Sequence, residues 1–357
     1  MMFDFAIIGA GPAGSMAALQ LAKLGYSVAV FEEHPSIGKP VRCAGLVSEH
    51  VIKLHNEGII NEIKGAVVVF PDGKEIVIGG DKTHAFVIDR YIFDASLAEK
   101  AMAAGAQYFL GRKIKKILER EYFEIEGIKA RYIIGSDGPN SMVAERFNMG
   151  KIKFFNAIQG YGRYDVDEGF VKIFLSNEIA PGFFAWIIPA ERARIGLATV
   201  KKNIRFYFNS FLKKIDAEVE EITAGLIPFG LRKLASKKVA LAGDAAGQVK
   251  ATSGGGIYAA LMAASTLAKH AENFREYEKE YMAGVGKELK RCILIRKVLN
   301  KIGDRGLNKM AGIVEENIGL INKYGDIDYP SIVIKEILKR HPLKYIIQAM
   351  GFCRKIP

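Results

Sequence analysis

A glycine-rich turn close to the N-terminus sets the strongest limit on the fold. The segment FDFAIIGAGPAGSMAALQLAKLGYSVAVFEE begins with an apolar run, passes through Gly9, Gly11 and Gly14, and continues in an amphipathic pattern that ends near Gly25. A second apolar run follows and ends at Glu32. This order predicts a strand, a tight turn, a helix and a second strand, which together form the first unit of a Rossmann-type parallel sheet.

The three glycines have separate roles in such a unit. Gly9 permits the tight turn, Gly11 lets the backbone approach a pyrophosphate, and Gly14 lets the helix pack against the strand. The N–H groups at the start of the helix then face the phosphates. Glu32, about 20 residues further on, is placed to accept a hydrogen bond from a ribose hydroxyl. We therefore predict a dinucleotide site, although the motif does not distinguish NAD from FAD.

A second strand-to-loop pattern, KKVALAGDAAGQVKATSGGGI, lies far along the chain. Asp244 follows the apolar run, and Gly255 and Gly256 open a small-residue helix that extends to Lys269. Asp244 can accept from a ribityl hydroxyl, and a helix N-terminus can stabilise the negative charge of a reduced flavin. The alternative is a tight turn with Asp244 as the helix N-cap. Beside the first motif, this second pattern favours FAD.

The rest of the chain predicts an interleaved architecture. Short β-rich runs between Gly65 and Val87 predict a small sheet, IDRYIFDASLAEKAMAAGA is typical of a helix, and GFVKIFLS, GFFAWIIP and ARIGLATV fit successive antiparallel strands. We expect a mixed α/β fold: a Rossmann-type FAD-binding parallel sheet, an interleaved antiparallel-sheet substrate domain and a helical C-terminal part. The expected boundaries are 1–64, 88–150 and 236–270 for the FAD-binding domain, 65–87 and 151–235 for the substrate domain, and 271–357 for the helical basic region.

Composition excludes several classes of protein. Of the 357 residues, 50% are hydrophobic and 25% are charged, which is the balance of a globular protein. The apolar runs are too short to span a membrane and the N-terminus has no basic leader, so we expect a cytoplasmic protein. The cysteines, Cys43, Cys292 and Cys353, are widely scattered, which argues against a disulfide framework and against a zinc site.

The charge is strongly basic. The net charge is +12, and the stretch from Ala271 to the end holds 17 Lys/Arg against 11 Asp/Glu. Such a surface attracts nucleic acid, anionic lipid headgroups or an acidic protein, and a solvated basic face explains it equally well. Because the chain has no basic patch interleaved with aromatic residues and no RNA-binding module, we expect no nucleic-acid partner.

Separate motifs in this chain occur in the order found in one group of flavoproteins. GAGPAG with Glu32, IDRYIFDASLA, GSDGPNS and GDAAGQVKATSGGGI resemble the flavoproteins with the para-hydroxybenzoate hydroxylase-type fold. RCAGLVS and PGFFAWIIP narrow the resemblance to the geranylgeranyl reductase family. The resemblance covers about Phe3 to Lys269 and does not clearly cover the basic C-terminal part.

The resemblance implies a non-covalently bound FAD in an extended conformation. The implied contacts are Gly9, Gly11, Ala13 and Gly14 with the pyrophosphate, Glu32 with the adenosine ribose, Ile114 with the adenine region, and Arg42, Cys43, Ala44, Gly45, Arg90, Asp244, Gly255, Gly256 and Ile257 around the flavin. Asp137 in GSDGPNS would contact FAD or a pyridine nucleotide, and the alternative is a simple turn at a strand end. The chain departs from the family at Cys43-Ala44-Gly45, where Cys-Gly-Glu-Gly is frequent, and at Lys250-Ala251, where Asn-Pro is frequent.

The stretch PGFFAWIIP contains the only tryptophan of the chain. It matches the family's sheet motif at Pro181, Trp186 and Pro189. On a strand, Phe184, Trp186 and Ile188 share one face because side chains alternate. That face suits the wall of a pocket for an isoprenoid chain, since it offers apolar area and few polar groups. The alternative is an ordinary core strand.

The resemblance places Cys43 beside the flavin ring. Its thiol could donate the proton that complements hydride delivery to an alkene, and Arg42 could raise its thiolate fraction. The alternative is that Cys43 only packs against the flavin while water or the flavin supplies the proton.

The resulting hypothesis is an FAD-dependent reductase that saturates C=C bonds of geranylgeranyl chains in membrane lipid precursors. Its partners would be an isoprenoid lipid, an anionic membrane surface touched peripherally, and an electron donor that is either NADPH or a ferredoxin-like protein. The second hypothesis is a flavin-dependent monooxygenase or halogenase of the same fold. The absence of a first tryptophan in Phe184-Ala185-Trp186 counts against the halogenase.

Overall fold

A computed structural model describes residues 1–340. Its strands are, in chain order, β1 (Met2–Ile8), β2 (Val28–Phe31), β3 (Leu46–Ser48), β4 (Ile59–Ile63), β5 (Gly65–Val69), β6 (Glu75–Gly79), β7 (Ala85–Ile88), β8 (Gln107–Phe109), β9 (Leu118–Glu119), β10 (Phe123–Ile125), β11 (Ile128–Gly135), β12 (Lys153–Gly162), β13 (Phe170–Phe174), β14 (Ala185–Ile188), β15 (Ala193–Thr199), β16 (Glu220–Phe229) and β17 (Val239–Leu241). Its helices are α1 (Pro12–Lys23), α2 (Glu49–Leu54), α3 (Arg90–Ala103), α4 (Met142–Arg146), α5 (Ile204–Lys214), α6 (Ile257–Lys269), α7 (Phe274–Ala283), α8 (Val285–Glu316), α9 (Ile318–Tyr324) and α10 (Ser331–Arg340). A 3-10 turn covers Gly243–Ala246.

The nucleotide-binding sheet is mostly parallel. Its strands lie in the order β8-β2-β1-β11, with β17 parallel to β11 and the β10-β9 pair antiparallel at one edge. All four residues of β2 are buried, as expected for a parallel strand covered on both faces. Helix α1 packs against α3 and α6. The predicted Rossmann-type unit and the predicted helix after Asp89 are therefore confirmed, and the Asp89 side chain accepts from the N–H groups of Tyr91 and Ile92 as the N-cap of α3.

The second large sheet, which we call the substrate sheet, has the order β16-β12-β15-β14-β13-β5-β6. Its pairs are antiparallel except for β13 with β5. The three strands predicted from GFVKIFLS, GFFAWIIP and ARIGLATV correspond to β13, β14 and β15 and pair in that order. Strand β14 begins at Ala185, so Phe184 lies immediately before it.

One detail of the sequence-based prediction is wrong. Strands β5 and β6 join the substrate sheet, in agreement with the assignment of 65–87 to the substrate domain, but the expected single small sheet does not form, because β7 pairs with β3 and β4 in a separate three-stranded sheet. These pairings are long-range: β5 lies parallel to β13, about a hundred positions later, and the local sequence does not predict that register.

Between Phe274 and Arg340, where the described residues end, the C-terminal part is mostly helical, as predicted. Helix α8 bends at Gly303, where φ is 60°. Helices α8 and α9 contact β6, and Ala311 packs in a small core with Phe70 and Ile76. Among residues 1–340, no helix is both long and apolar enough to cross a bilayer. Cys353 and the rest of the basic stretch beyond Arg340 lie outside the described residues.

The substrate sheet has a different core on each side. On one side, Ala185 and Ile187 pack with Phe208 and Phe211 of α5. On the other side, Trp186 and Ile188 pack with a cluster that includes Ala44, Leu46 and Val87. This second core joins the sheet to the segment that carries Cys43.

Candidate active site

The glycine turn has the geometry that a dinucleotide site requires. A Cβ on Gly9, whose φ is 102°, would lie 2.3 Å from the carbonyl oxygen of Ser136. A Cβ on Gly14 would lie 1.9 Å from the carbonyl oxygen of Gly9. A Cβ on Gly11 would meet nothing within 4 Å. Gly9 and Gly14 are thus required by packing, whereas Gly11 borders open space at the N-terminus of α1, where no side chain caps the free N–H groups.

Glu32 follows β2 and faces this turn. Its Oε2 accepts the N–H of Ala10 at 2.9 Å, and its Oε1 accepts the backbone N–H of His34 at 2.9 Å and contacts His34 Nδ1 at 2.6 Å. A carboxylate has about four acceptor positions, so one remains on Oε2. That position fits a ribose hydroxyl.

Ile114 and Asp137 lie at the edges of the adenosine half of the site, which is formed by the glycine turn and Glu32. Ile114 is buried, and the nearby N–H of Arg112 donates to the carbonyl oxygen of Glu32 at 2.7 Å, so the 112–114 segment folds beside the predicted ribose. Asp137 accepts from Ser141 Oγ at 2.5 Å and from the N–H of Val143 at 3.1 Å. Burial raises the pKa of Asp137, and these hydrogen bonds oppose that effect. The contacts of Asp137 are those of a turn that leads into α4.

The flavin half of the site lies around Asp244. This carboxyl is buried in the 3-10 turn, and Oδ1 would lie 3.4 Å from a Cβ on Gly256, the N-cap of α6. Burial raises the pKa of Asp244 to about 6, against the opposing effect of Arg90. The small residues Gly254 and Gly255 leave backbone exposed at the start of α6, with Ile257 as its first residue. The structure therefore presents an acceptor and a helix N-terminus together, as a flavin site needs.

Cys43 lies in the loop before β3. Its Sγ accepts the N–H of Gly45 at 3.3 Å. Arg90, at the start of α3, lies near enough to Cys43 for the two groups to interact electrostatically, and it donates to both carboxylate oxygens of Asp94, at 2.9 and 2.6 Å. Burial acts to lower the pKa of Arg90, but Asp94 and Cys43 outweigh it and the pKa is raised.

The cation that the structure brings near Cys43 is Arg90, whereas the sequence suggested Arg42. Arg42 is exposed, and its charge acts on Glu33, whose pKa is lowered chiefly by Lys113 and to a smaller extent by Arg42. Arg90 lies near the thiol because α3 begins shortly after Ile88, whose N–H donates to the carbonyl oxygen of Gly45 at 2.8 Å. The structure therefore brings Arg90 toward Cys43, and the proposed effect of Arg42 on the thiol stays a prediction.

Arg194 of β15 is a site residue that the sequence analysis missed. Its guanidinium is buried and donates to the carbonyl oxygens of Ala44, at 2.5 Å, and Ile88, at 3.0 Å. Burial lowers the pKa of Arg194, although nearby groups that include Cys43 oppose this. A Cβ on Gly45, whose φ is 67°, would lie 2.1 Å from Nη1 of Arg194, so the loop accepts this guanidinium only with glycine there. The available signal was a charged residue inside the otherwise apolar run ARIGLATV.

The apolar wall lies on the same side of the sheet. We call this side the loop face and define it by Gln159, Tyr161, Trp186, Ile188 and Arg194. Phe184 precedes β14 and contacts Trp186 edge to face, with ring centroids 6.0 Å apart. Phe184, Trp186 and Ile188 belong to one apolar cluster, which confirms the predicted alternation, and Ala44 of the cysteine loop packs against it.

The C-terminal part reaches the flavin half through Lys250, where the family often has asparagine. Lys250 Nζ donates to Asp328 Oδ1 at 2.5 Å and to the carbonyl oxygen of Ile327 at 2.7 Å. Ser48 Oγ donates to the other oxygen of Asp328. A Cβ on Gly255 would lie 3.4 Å from Lys250 Nζ, so the ammonium lies against the glycine loop.

Arg296 of α8 makes a second connection. It is buried and donates to the carbonyl oxygens of Ala251 and Thr252, at 2.8 and 2.7 Å. The same guanidinium lies 4.5 Å from the ring centroid of Phe183. Burial lowers the pKa of Arg296 to about 10. Arg296 thus joins the flavin loop, the PGFFAWIIP stretch and α8, and no sequence pattern pointed to it.

Two other features do not define the site. His50, Asp326 and Asp328 have potential metal-ligand atoms within 4.8 Å of one another, but Lys250 already neutralises Asp328. An open depression of about 610 Å³ at the end of β12 contains none of the predicted site residues. It is lined by Gly162, Arg163, Tyr164, Asp165, Ala190, Glu191, Ala193, Ile215 and Asp216. The FAD motifs, and not this depression, locate the site.

Comparisons with known proteins agree with this geometry. Residues 4–64 match the family model described as FAD dependent oxidoreductase. The chain is 30% identical over 391 residues to digeranylgeranylglycerophospholipid reductase of Methanocaldococcus jannaschii, covering 96% of this chain and 97% of that protein. It is 31% identical over 371 residues to an uncharacterised protein of the same organism, covering 94% and 95%. A geranylgeranyl bacteriochlorophyll reductase-like structure from Thermoplasma acidophilum shares the fold, with a TM-score of 0.82 at 22% identity over 98% of this chain and 99% of that one.

The fold and the two half-sites define an FAD-dependent oxidoreductase. The open space at Gly11, the free acceptor of Glu32 and the helix start at Gly256 fit the pyrophosphate, a ribose and the flavin of FAD. Because the identity to the reductase extends over nearly the whole of both chains, the protein belongs to the geranylgeranyl reductase family.

Proposed function

We propose that this oxidoreductase saturates C=C bonds in the geranylgeranyl chains of membrane lipid precursors. The observation that carries the proposal is the position of Cys43: the largely buried cation of Arg90 lies near it, and its neighbour Ala44 packs against the apolar sheet face that contains Trp186. The name of the Methanocaldococcus relative, a reductase of a digeranylgeranyl phospholipid, supports this substrate class.

The protein groups divide the chemistry between them. FAD, when bound in its reduced form, supplies a hydride to one carbon of the alkene. The Cys43 thiol donates a proton to the other carbon, so two hydrogens add across the double bond and a thiolate is left behind. Arg90 and the N–H of Gly45 stabilise that thiolate, and water returns the proton to it. In the alternative, Cys43 only packs at this position and water protonates the alkene directly.

The apolar side of the loop face would bind the prenyl chain. Phe184 is half-buried and would border the chain, while Trp186 and Ile188, 8% and 3% exposed, form the packed base behind it. Each Å² of apolar surface removed from water would contribute roughly 25 cal/mol. Such a surface binds an isoprenoid without demanding hydrogen bonds from it.

The test is an anaerobic single turnover. Dithionite-reduced protein is mixed with a geranylgeranyl phospholipid precursor, and flavin reoxidation and product mass are followed together. Reoxidation with a gain of about two hydrogens per double bond is expected, because hydride plus proton is the increment of alkene saturation. A reduced protein that ignores the lipid but reacts rapidly with oxygen and an aromatic substrate would establish a monooxygenase instead.

Cys43→Ala and Cys43→Ser form a matched pair for the proton donor. If the thiol donates, Cys43→Ala slows the single turnover by roughly 10²–10³-fold, within the usual range for a general acid, and Cys43→Ser retains part of the rate. Equal rates for wild type and both variants would leave Cys43 with a packing role only. Bound FAD, measured by its absorbance, serves as the control for an intact site.

A peripheral contact with anionic lipid belongs to the same proposal. On one face of α8, Leu294 and Val298 are 61% and 58% exposed, with exposed Lys290, Lys297 and Lys301 around them at helical spacing. This combination favours an anionic membrane surface, from which a cytoplasmic enzyme could take a lipid substrate. Sedimentation with anionic but not neutral vesicles is expected, and Leu294→Glu with Val298→Glu should abolish it.

The electron donor would be NADPH or a ferredoxin-like protein. An acidic carrier protein would be attracted by the same basic surface, since association of oppositely charged proteins is electrostatically steered. Stopped-flow reduction of the bound FAD by each donor decides between them. Reduction by the carrier should slow steeply with salt, and reduction by NADPH should depend on salt much less.

A further inference from the structure

Gln159 is a buried polar residue on the loop face that the proposed chemistry does not use. In the substrate sheet it pairs with Gly196 of β15, which in turn pairs with Trp186 of β14. Gln159 is 4% exposed. The three residues therefore form one row across the sheet.

Gly196 lets the indole lie across this row. A Cβ at Gly196 would be 2.6 Å from Cζ2 of Trp186, so a larger residue would displace the ring. In the resulting position Trp186 Nε1 donates to Gln159 Oε1 at 3.1 Å. An indole N–H can only donate, so this bond fixes which end of the amide is oxygen. The amide nitrogen must point away from the indole.

That nitrogen is an unused donor. Nε2 of Gln159 is buried and has no hydrogen-bond partner among residues 1–340. A buried donor without an acceptor destabilises the folded protein, because it has lost its hydrogen bond to water. On its other side Gln159 pairs with Thr223 of β16, which makes no hydrogen bond to Nε2, and the next pair on this face, Ala157 with Ala198, has no acceptor in its side chains. The cost is removed only when another molecule brings an acceptor.

The donor lies close to the cysteine loop. The next row on the loop face is Tyr161, Arg194 and Ile188, one strand repeat of about 7 Å away. Arg194 in that row holds the carbonyl oxygen of Ala44, the neighbour of Cys43. The free amide nitrogen is therefore on the side of the sheet where the prenyl chain would meet Cys43.

We propose that Gln159 Nε2 binds an oxygen acceptor at the polar end of the prenyl substrate, an ether or hydroxyl oxygen. The proposal rests on the proposed function. Successive isoprene units present nearly the same apolar surface, so apolar contacts alone let the chain slide by one unit at little cost. A hydrogen bond at one end removes that freedom. Gln159 thus selects which double bond lies beside Cys43 and acts as a specificity residue.

The chain contains its own probe for the first test. Trp186 is the only tryptophan and is hydrogen-bonded to Gln159, so its fluorescence reports ligand binding at this row. Oxidised FAD-loaded protein is titrated with three ligands in matched detergent: geranylgeraniol, its methyl ether, and the corresponding hydrocarbon without oxygen. The same titrations are made with Gln159→Met, which keeps the length of the side chain and removes the donor. The ratio of variant to wild-type Kd for one ligand cancels differences in lipid solubility.

Gln159→Met should raise Kd for the alcohol and for the ether by about 5–10-fold, the value of one hydrogen bond, and leave Kd for the hydrocarbon unchanged. The ether should behave like the alcohol, because Gln159 donates. Equal changes for all three ligands would overturn the proposal and leave Gln159 as a support for the indole. Unchanged Kd values for the alcohol and the ether would overturn it as well.

A second measurement needs no stable variant. In single turnovers of the wild-type enzyme, mass spectrometric fragmentation locates the first saturated bond in each ligand. The alcohol and the ether should give one dominant position, and the hydrocarbon a mixture; the same mixture from all three overturns the proposal. Saturation of all three ligands without selectivity would leave the proposed reductase function intact. If no ligand is bound or saturated, both the proposed function and the proposed role of Gln159 are wrong.

Discussion

The adenosine half and the flavin half of the site are built in different ways. The adenosine half lies within one strand-helix-strand unit, and its key contact joins Ala10 to Glu32, only 22 positions apart. The flavin half is assembled from distant segments, and one of its contacts joins Ser48 to Asp328 across 280 positions. In the first half, close contacts between backbone atoms require particular residues. In the second half, side chains from several elements meet and can compensate for one another.

This difference explains where the chain departs from its family. The glycine turn matches the family because a Cβ at Gly9 or Gly14 would overlap the backbone. At Lys250 the chain replaces a frequent asparagine, and the buried Asp328 of the C-terminal part neutralises the new charge. Substitution is tolerated in the flavin half when a distant partner appears with it.

The largest effect is expected at Gly14. In Gly14→Val, the new side chain would meet the carbonyl oxygen of Gly9, where even a Cβ lies 1.9 Å away. Strand and helix would have to separate, so we expect no folded, FAD-containing protein in the soluble fraction, as measured by flavin absorbance per chain. Gly11→Ala is the matched control: its Cβ has open space, so it should fold with a nearly unchanged Tm but bind FAD weakly. Normal FAD binding by Gly14→Val would refute the local-backbone explanation.

The second-largest effect tests whether Lys250 and Asp328 compensate for each other in the flavin half. Lys250 and Asp328 have side chains only 7% and 2% exposed, so removing one leaves the other buried and unpaired. Lys250→Met and Asp328→Asn should each lower the free energy of unfolding by about 3–5 kcal/mol, and the double variant by clearly less than the sum. Urea denaturation of the four proteins measures the coupling. Additive losses would mean that the C-terminal part is not held on the flavin loop by this pair.

The same contrast determines what could be predicted from the sequence. The GxGxxG unit, the helix after Asp89 and the alternation around Trp186 follow from local periodicity, and all three were predictable. Arg194 and Arg296 were not, because an arginine in a strand or a helix is ordinarily solvated. Their acceptors are backbone carbonyl groups of remote loops. Because every residue has such a group, the sequence does not indicate which ones will accept these hydrogen bonds.

The approach of Arg90 to Cys43 could not be predicted for a related reason. Arg42 adjoins Cys43 in the sequence, whereas Arg90 approaches the thiol only because β7 leads into α3 beneath the loop. Proximity along the chain is a weak guide inside an irregular loop, where successive side chains point in different directions. In the adenosine half, the regular strand and helix make sequence spacing a reliable measure of distance.

A smaller effect, with a defined pH dependence, is expected at Asp244. Burial raises its pKa in the folded protein to about 6 from the ordinary 3.8. Between these values the folded state keeps a proton that the unfolded state has lost, so the contribution of Asp244 to stability falls as pH rises from about 4 to 6. In FAD-free protein, Asp244→Asn should match wild type near pH 4 and exceed it by roughly 2–3 kcal/mol at pH 7, as measured by urea denaturation. A constant difference across this range would show that burial does not perturb Asp244.

The smallest effect separates the buried contacts of the C-terminal part from its surface contacts. Lys74 of the substrate sheet edge and Glu315 of α8 form an ion pair at 2.6 Å, but their side chains are 39% and 61% exposed. Water and salt screen such a pair, so Lys74→Ala should change the free energy of unfolding by less than about 1 kcal/mol and leave the FAD Kd unchanged. A loss comparable to that of Lys250→Met would mean that α8 is held mainly through the sheet edge. The expected difference between the two variants places the attachment of this helical part at the flavin loop, where Lys250 of the loop binds Asp328 and Arg296 of α8 binds the carbonyl oxygen of Ala251.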